Sequence, residues 1–409
     1  MLLIIAVMKI RKRVYDTIIH EHLAAYRQMV FVTGPRQVGK TTTCREHADG
    51  YANWDNPDDR EQILAGPARL AERLDLNRLS ETEPVVLFDE LHKYPRWKSL
   101  LKGFFDTYSD RVRILVTGSS RMDAYRRGGD SLMGRYFLYR MHPFSMAEIL
   151  HQDLPDPERI IRPPAEIPDD DFQTLWDHGG YPEPFLMRND RFSRRWQSLR
   201  TRQLLREDIR NLTQIHQVDQ LEIMVRILTD RSARSLVYSN LAGEIRVSVD
   251  TVRRWLEILS GLHLGFRIRP WFRNVTRSLR KEPRWYLRDW AGIEDVGSKS
   301  ETFVGCHLLK AIEGWTDLGL GTFELAYLRD RQQREIDFVV IRDDKPWMLI
   351  EVKNRDTSLA PSLTYFQKQL KVPFAFQVVI EADYVDADCF EKTGPPLIVP
   401  ARTLLSQLL

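Results

Sequence analysis

The sequence predicts an α/β protein that begins with a doubly wound parallel sheet. Residues 28–33 and 83–90 each read as a short buried strand, and the first leads into a glycine-containing loop and a helix start. Residues 111–120 read as a further buried strand that ends in small polar residues. Strands that alternate with helices form parallel sheets, whose functional sites lie at the carboxyl ends of the strands.

The loop after the first strand carries the pattern G-x-x-x-x-G-K-[ST]. Gly34 and Gly39 lack a Cβ, so the backbone can turn tightly and direct N–H groups at phosphates, while a helix begins at Lys40. The pattern predicts that Lys40 acts on the outer phosphates and that Thr41 binds Mg²⁺. The predicted nucleotide contacts are Gly34, Pro35, Arg36, Gln37, Val38, Gly39, Lys40, Thr41 and Thr42.

The strand at 83–90 ends in two acids. A carboxylate delivered beside the phosphates by a buried strand is typical of nucleoside-triphosphate hydrolases, so we expect Asp89 to bind Mg²⁺. Glu90 is the expected catalytic residue that polarises the attacking water. Between the two motifs, the chain has room for a strand near 51–54 and a helix over 57–74.

The third strand, at 111–120, ends in the run Thr-Gly-Ser-Ser. Thr117, Ser119 or Ser120 could sense the γ-phosphate from this position, and Ser119 is included among the predicted nucleotide contacts. A Thr-Gly-Ser-Ser turn is on its own only a loop signal.

Several motifs together resemble the prokaryotic AAA-type ATPases that carry a C-terminal domain of unknown function. The motifs are residues 34–42, 87–93, 115–120 and 131–135, and the likeness extends over 142–148, 179–182 and nearly everything to the end. This resemblance implies ATP and Mg²⁺ as cofactors and a homo-oligomer. In such ATPases a basic residue commonly completes the site from a neighbouring subunit. Arg135 matches that place by position, with Arg121 as second choice and a surface arginine as the alternative.

The middle of the chain reads as helical and contains a helix-turn-helix pattern over 235–259. Ser239 and Ser248 are placed to cap two short helices, and apolar residues recur at helical spacing after Ser248. The segment 262–271 alternates like a strand and resembles the wing of a winged-helix domain. Such domains often bind DNA but also serve as protein spacers.

A basic run follows the helix pair. Its cations could contact a phosphate backbone, or form an ordinary exposed basic face. They are Arg267, Arg269, Arg273, Arg277, Arg280, Lys281, Arg284 and Arg288. Aromatic residues lie among them and could stack on bases or belong to the core. They are Phe266, Trp271, Phe272 and Trp285.

The last third holds a second group of acids on a predicted hairpin. Residues 334–341 and 347–354 read as two strands joined by a tight turn. Glu351 and Lys353 share one face of the second strand, because side chains alternate, and Asp337 leads the partner strand.

Three carboxylates and a lysine at a strand pair can bind Mg²⁺ and orient a water towards a phosphodiester. The expected metal ligands are Asp337, Glu351 and Glu301, which opens a plausible helix at 301–309, and Lys353 is the expected catalytic cation. The order Glu, Asp, Glu-x-Lys resembles the PD-(D/E)xK nuclease superfamily. That superfamily includes members that only bind, so catalytic roles for Asp337, Glu351 and Lys353 and a silent site both remain open.

The chain of 409 residues is expected to form two to three domains. The expected order is an AAA-type ATPase domain (1–150), a surface linker or insertion (151–171), a helical and winged-helix domain (172–280) and an α/β PD-(D/E)xK nuclease-like domain (281–409). The net charge of +3 is unremarkable. The three cysteines, Cys44, Cys306 and Cys389, are scattered, so neither a disulfide framework nor a zinc site is expected. The apolar start is too short to span a bilayer, so we expect a cytoplasmic protein without a membrane partner.

Two functions follow as expectations. In the first, the protein hydrolyses ATP, engages DNA and cleaves it with Mg²⁺. In the second, it is a nucleotide-switched DNA- or protein-binding regulator whose nuclease-like site is silent.

Overall fold

A computed structural model describes residues 11–76, 78, 83–118, 132–205, 217–271 and 282–409. The chain divides into two units, one formed by Met1–Pro143 with Gln152–Leu154 and the other by Phe144–His151 with Pro155–Leu409. The expected domain boundaries at 150, 171 and 280 stay predictions. Within the described ranges, no helix has the length and apolar character needed to cross a membrane.

The first unit alternates strands and helices. Its helices are α1 (Val14–Ala25), α2 (Lys40–Arg45), α3 (Pro57–Leu64), α4 (Pro67–Arg73) and α5 (Trp97–Tyr108). Its strands are β1 (Met29–Thr33), β2 (Gly50–Asn53), β3 (Val85–Asp89), β4 (Arg113–Thr117) and β5 (Tyr136–Arg140). A short 3₁₀ turn, Leu91–Lys93, follows β3.

The five strands of the first unit form one parallel sheet in the order β2-β3-β4-β1-β5. All five residues of β1 are buried, which confirms the predicted buried strand. Phe31, Phe88 and Phe104 belong to the core cluster between the sheet and α5. Because parallel strands end at the same edge, the loops after β1, β3 and β4 meet there.

The expected single helix over 57–74 is instead two helices, α3 and α4. Gly66 separates them with φ of +96°, outside the helical region, and Pro67 begins the second helix. Proline lacks the N–H that a continuous helix would need and is preferred at a helix start, so the chain restarts here.

The second unit has the following elements. Its helices are α6 (Met146–Leu150), α7 (Asp169–His178), α8 (Pro182–Met187), α9 (Asp190–Gln203), α10 (Val218–Asp230), α11 (Tyr238–Ile245), α12 (Val249–Gly261), α13 (Val296–Asp317), α14 (Pro361–Leu370) and α15 (Ala401–Ser406). Its strands are β6 (Arg234–Ser235), β7 (Gly265–Pro270), β8 (Arg284–Leu287), β9 (Phe323–Arg329), β10 (Glu335–Arg342), β11 (Lys345–Lys353), β12 (Phe374–Val379) and β13 (Leu397–Pro400).

These strands form a mixed sheet of eight in the order β13-β12-β11-β10-β9-β7-β8-β6. The predicted hairpin is confirmed, since β10 and β11 pair antiparallel with Phe338 opposite Ile350. The turn residues Asp343 and Asp344 have φ of 49° and 63°, as a type I′ turn requires. Helix α13 packs against β9 and β11, and α14 packs against β11 and β12.

The predicted helix pair is present as α11 and α12. Ser248 caps α12 by accepting a hydrogen bond from the Thr251 backbone N–H at 3.1 Å. The capping role expected of Ser239 is wrong, because α11 begins one residue earlier, at Tyr238, with Val237 in the cap position.

The surface linker or insertion expected over 151–171 is partly buried, and its last three residues belong to α7. Residues 155–168 contain neither helix nor strand, but Ile160, Ile161 and Ile167 are buried. The backbone N–H of Arg162 donates to the Gln407 carbonyl at 2.9 Å, so this segment lies against the carboxyl end of the chain. Its few apolar residues follow no helical or strand period, which is why the sequence pattern missed their burial.

Candidate functional site

The glycine loop joins the end of β1 to the start of α2. Gly34 has φ of +146°, and a Cβ built there would lie 2.2 Å from the Met141 carbonyl oxygen, so only glycine fits. Gly39 has φ of +101° and is the N-cap residue of α2, which begins at Lys40. The expected strand–loop–helix arrangement is therefore present.

Lys40 lies almost wholly buried beside this loop. Its ammonium donates to the carbonyl oxygens of Gly34 and Pro35, at 3.0 and 2.8 Å. Burial lowers the pKa of Lys40 to about 8, although the carboxylates of Glu90 and Asp89 act in the opposite direction. The loop and the lysine thus form one hydrogen-bonded unit.

Asp89 is the centre of the polar contacts at the carboxyl end of the sheet. Thr41 Oγ1 donates to its two carboxylate oxygens at 3.2 and 3.0 Å, and the Tyr51 hydroxyl donates at 2.9 Å. The Thr117 hydroxyl also donates to Asp89. Tyr51 was missed by the sequence analysis, although β2 was expected close to this position.

Glu90 follows Asp89 in an unusual backbone conformation. Its φ of +54° is in the left-handed region, which costs a non-glycine residue about 1–3 kcal/mol. Its carboxylate lies 3.2 Å from the Lys93 ammonium and 3.8 Å from His92 Nε2. Glu90 therefore directly follows the last residue of β3 in a strained turn, with its carboxylate beside Lys93 and His92.

The remaining predicted nucleotide contacts differ in exposure. Arg36, Gln37 and Thr42 are exposed, whereas Pro35 and Val38 are buried. The Val38 carbonyl accepts a hydrogen bond from the Arg13 guanidinium at 2.8 Å, which ties the loop to the start of α1. Ser119 lies outside the described residues, as do Ser120 and Arg121.

Arg135 does not lie beside the glycine loop of its own chain. Its carbonyl accepts a hydrogen bond from the Met29 N–H, which places it at the amino edge of the sheet, opposite the loop. Its guanidinium forms a two-pronged ion pair with Asp106, at 2.7 and 3.0 Å. A role in a neighbouring subunit's site stays a prediction.

The predicted acids of the last third lie together in the second unit, and a fourth acid joins them. We call Glu301, Glu335, Asp337 and Glu351 the carboxylate cluster. Helix α13 carries Glu301 in its second turn and not at its start, because α13 begins at Val296, where the Asp295 side chain caps it. Lys353 Nζ donates to Glu351 Oε1 at 2.8 Å, as expected for neighbours on one face of β11.

An arginine that the sequence analysis placed in a phosphate-binding track lies inside this cluster. The Arg284 guanidinium is 2.9 Å from Glu301 Oε1 and 3.3 Å from Asp337 Oδ1, and it also pairs with Glu335. The Tyr286 hydroxyl, on the same face of β8, donates to Glu301. The sequence signal for this arrangement is an arginine and a tyrosine two residues apart, because residues at that spacing share one face of a strand.

The electrostatics of the cluster follow from its burial. Burial and the neighbouring Asp337 carboxylate raise the pKa of Glu301, while Arg284 lowers it. Burial and Asp337 also raise the pKa of Glu351, against the opposing effect of Lys353. The cluster thus holds carboxylates that are costly to ionise together.

The two predicted Mg²⁺ sites differ in how well their residues fit the ion. Thr41 and Asp89 present adjacent oxygen donors at the end of β3, so these residues fit a Mg²⁺ that also contacts phosphates. In the cluster, Arg284 fills the space between Glu301 and Asp337. Across the described ranges, no three His, Cys, Asp or Glu side chains are placed to hold a metal ion. The cluster therefore does not fit Mg²⁺ as it stands.

The predicted phosphate-binding track is wrong at two of its members. Arg284 and Arg288 are buried, at 8% and 9% exposure. Stacking on bases is also wrong for Phe266 and Trp285, which belong to the core. Arg267 is half-buried and Arg269 exposed, and Trp271 is half-buried. Arg273, Arg277, Arg280, Lys281 and Phe272 lie outside the described residues.

Comparison with protein families divides the chain into three parts. Residues 26–150 match the AAA domain family AAA_14, so the amino-terminal part is an AAA-type P-loop ATPase domain. Residues 169–293 and 296–389 match two domains of unknown function, DUF8612 and DUF4143. The family matches agree with the resemblance in the motifs, and they leave the activity of the second unit open.

The chain is similar to two curated proteins. The uncharacterized proteins Rv2008c of Mycobacterium tuberculosis and Mb2031c of Mycobacterium bovis are each 25% identical over 357 residues, covering 80% of this chain and 71% of the relative.

Two solved structures are similar in part. A single-residue variant of RuvB from Thermotoga maritima has a TM-score of 0.27 at 15% identity and covers 62% of this chain and 87% of its own. The STAND protein PH0952 of Pyrococcus horikoshii, with a tetratricopeptide repeat sensor, scores 0.22 at 10% identity and covers 74% and 48%. Scores this low support no argument.

Proposed function

We propose that this protein binds ATP with Mg²⁺ and hydrolyses it in its AAA-type domain. The observation that carries the proposal is the direct contact of Thr41 with Asp89 beside the buried Lys40. These three residues come from two motifs far apart in the chain, and they are the types that P-loop enzymes use for phosphates and metal.

Each residue has a separate task in this proposal. Lys40 holds the outer phosphates with its ammonium, and the backbone N–H groups at the start of α2 face them. Thr41 and Asp89 hold Mg²⁺, which when bound neutralises charge on the phosphate oxygens. Glu90 orients and polarises the attacking water from its position next to Asp89.

Two variants test the assignment. Lys40→Ala should lose ATP binding in calorimetry. Glu90→Gln should bind ATP normally but release phosphate about a hundredfold more slowly or worse, since a general base contributes about 10²–10⁴-fold. The matched control is Glu61→Gln on the exposed face of α3. Hydrolysis by Glu90→Gln at the wild-type rate would remove Glu90 from this role.

DNA is the second partner in the proposal. Strands β6, β8 and β7 pair antiparallel next to the helix pair α11 and α12, an arrangement that supports the winged-helix interpretation. Arg253 and Arg254 are exposed on α12, and Arg269 is exposed on β7. Affinity for duplex DNA should fall steeply with salt, and Arg254→Ala should reduce the slope by about one. An affinity that does not change with salt concentration contradicts DNA binding by this surface.

The predicted homo-oligomer enters the proposal through Arg135. Its place at the opposite edge from the glycine loop suits a residue that acts on a neighbouring copy. Arg135→Ala should slow hydrolysis without weakening ATP binding. Mass measurement with and without a non-hydrolysable ATP analogue tests the assembly, and a monomer under both conditions contradicts it.

For the second unit, the geometry favours the regulator over the nuclease. Arg284 neutralises the carboxylates that would otherwise bind a metal ion. Plasmid nicking with ATP and Mg²⁺ decides between the two functions. Nicking that disappears in Asp337→Ala and Lys353→Ala supports the nuclease, whereas no nicking by any of the three proteins supports the silent site.

A further inference from the structure

We infer that Arg284 is a built-in cation that takes the place of a divalent metal in the carboxylate cluster, so that the cluster is complete without Mg²⁺. This inference goes beyond the proposed ATPase and does not depend on it. It assigns Arg284 a charge-neutralising role instead of the phosphate contact expected from the basic run.

The contacts of Arg284 are those of a central cation. One guanidinium nitrogen lies 2.9 Å from Glu301 and 3.3 Å from Asp337, and the other terminal nitrogen pairs with Glu335. The side chain is 9% exposed, so these pairs are little screened by water. Guanidinium does not lose its proton in proteins, so the positive charge is permanent.

Other donors engage two further oxygens of the cluster. Asp337 Oδ2 accepts the Val352 backbone N–H at 2.9 Å, and Glu351 Oε1 accepts Lys353. Glu351 Oε2 is buried, and the described structure offers it no hydrogen-bond partner. Mg²⁺ demands near-octahedral oxygen ligands. The oxygens that already accept hydrogen bonds from Arg284, the Val352 backbone and Lys353 do not offer that arrangement.

The position of Arg284 is fixed by its neighbours. Its Cζ lies 5.0 Å from the centre of the Tyr327 ring, within the range of a cation–π contact. The Tyr327 hydroxyl donates to the Glu282 carbonyl at 2.7 Å, which holds that ring beside the start of β8. Strand β8, helix α13 and strand β10 therefore meet at one guanidinium.

Metal titration of the full chain tests the inference. All proteins carry Asp89→Asn, which removes the metal ligand of the ATP site, and free Mn²⁺ is followed by electron paramagnetic resonance without nucleotide. In proteins that keep Arg284, Mn²⁺ uptake should be the same whether residue 337 is the native aspartate or is changed by Asp337→Asn. Arg284→Gln should gain a Mn²⁺ site that binds at least about tenfold more tightly than the protein that keeps Arg284. Adding Asp337→Asn to Arg284→Gln should abolish this site.

Arg288→Gln is the matched control, because it removes a buried arginine four residues away. It should not create a Mn²⁺ site. Two results would overturn the inference. The first is Mn²⁺ uptake in the protein that keeps Arg284 and loses that uptake when Asp337→Asn is added. The second is an Arg284→Gln protein that folds but gains no Mn²⁺ site. If Arg284→Gln does not fold, the comparison of Asp337 with Asp337→Asn in the protein that keeps Arg284 still decides. Arg284→Lys is a second variant that keeps a cation, and it should gain no Mn²⁺ site either.

Discussion

The Thr41 hydroxyl lies within hydrogen-bonding distance of both carboxylate oxygens of Asp89, at 3.2 and 3.0 Å. The two residues belong to separate motifs, on the first turn of α2 and at the last position of β3. The parallel sheet brings them together, since both β1 and β3 end at the same edge. One contact thereby joins the proposed phosphate-binding loop to the proposed metal ligand.

The first prediction concerns this contact. Thr41→Val keeps the shape of the side chain but removes the hydroxyl that faces Asp89, so Mg²⁺-dependent ATP affinity should fall by about tenfold or more. A fluorescent ATP analogue titrated with and without Mg²⁺ measures the change. Thr107→Val on α5, whose hydroxyl bonds only to its own helix at Gly103, is the control. Equal affinity for the two variants would contradict the metal role of Thr41.

The second prediction concerns Gly34. A Cβ at this position would lie 2.2 Å from the Met141 carbonyl, so Gly34→Ala must displace backbone and should cost about 2 kcal/mol or more. The thermal midpoint and ATP affinity should both fall. Gly103→Ala, in helix α5, would place its Cβ in ordinary contact with Pro67 Cγ at 3.8 Å and should instead stabilise the protein by about 0.5–1 kcal/mol. Similar midpoints for the two variants would show that the loop can rearrange.

The third prediction concerns a buried ion pair in the second unit. Lys310 on α13 donates to Glu148 on α6, and their side chains are 2% and 0% exposed. Lys310→Met leaves the carboxylate buried without this ammonium and should cost about 3–5 kcal/mol in urea unfolding.

Adding Glu148→Leu should recover much of the loss, because the carboxylate left without its ammonium is then removed as well. Arg69→Met, which breaks the exposed pair with Glu72 on α4, should change stability by less than about 1 kcal/mol. An equally small effect of Lys310→Met would show that the pair contributes little.

The fourth prediction concerns pH. Burial lowers the pKa of His307 to about 4, although its hydrogen bond with the Phe303 carbonyl acts in the opposite direction. The unfolded chain takes up this proton below about pH 6.5, and the folded protein only near pH 4. The stabilisation is therefore complete above about pH 6.5 and is lost as the pH falls towards 4, in total roughly 3 kcal/mol.

His307→Leu removes the titrating group. Between pH 7 and 5, its unfolding free energy should therefore fall by roughly 2 kcal/mol less than that of the wild type. Urea unfolding at several pH values provides the comparison. Parallel curves for the two proteins would mean that the pKa of His307 is the same in the folded and unfolded states.

The geometry of the proposed ATP site was largely predictable because its signals are local. A buried strand, two glycines and a lysine specify the loop, and a buried strand ending in Asp89 specifies the metal side. Their meeting follows from the parallel sheet. Tyr51 and Thr117 needed the register of neighbouring strands before their contacts with Asp89 could be seen.

The carboxylate cluster was predictable only in part. Residue spacing on one hairpin relates Asp337, Glu351 and Lys353, and the structure brings these together. Arg284 reaches the cluster from β8, which joins the same sheet through β7 and β9. The order of strands that are distant in sequence cannot be inferred from local residue spacing. The local pattern around Arg284 therefore indicates only a basic run.

The family boundaries cut the chain between Arg284 and its carboxylates, because the last family match begins at residue 296. A recombinant fragment that starts there would keep Glu301, Glu335 and Asp337 but leave their counterion behind. Mutual repulsion of the acids would then oppose folding of the truncated piece. A fragment that begins upstream of β6 would instead keep Arg284 together with its carboxylates. Charge neutrality is therefore a better guide to the ends of a fragment than sequence similarity.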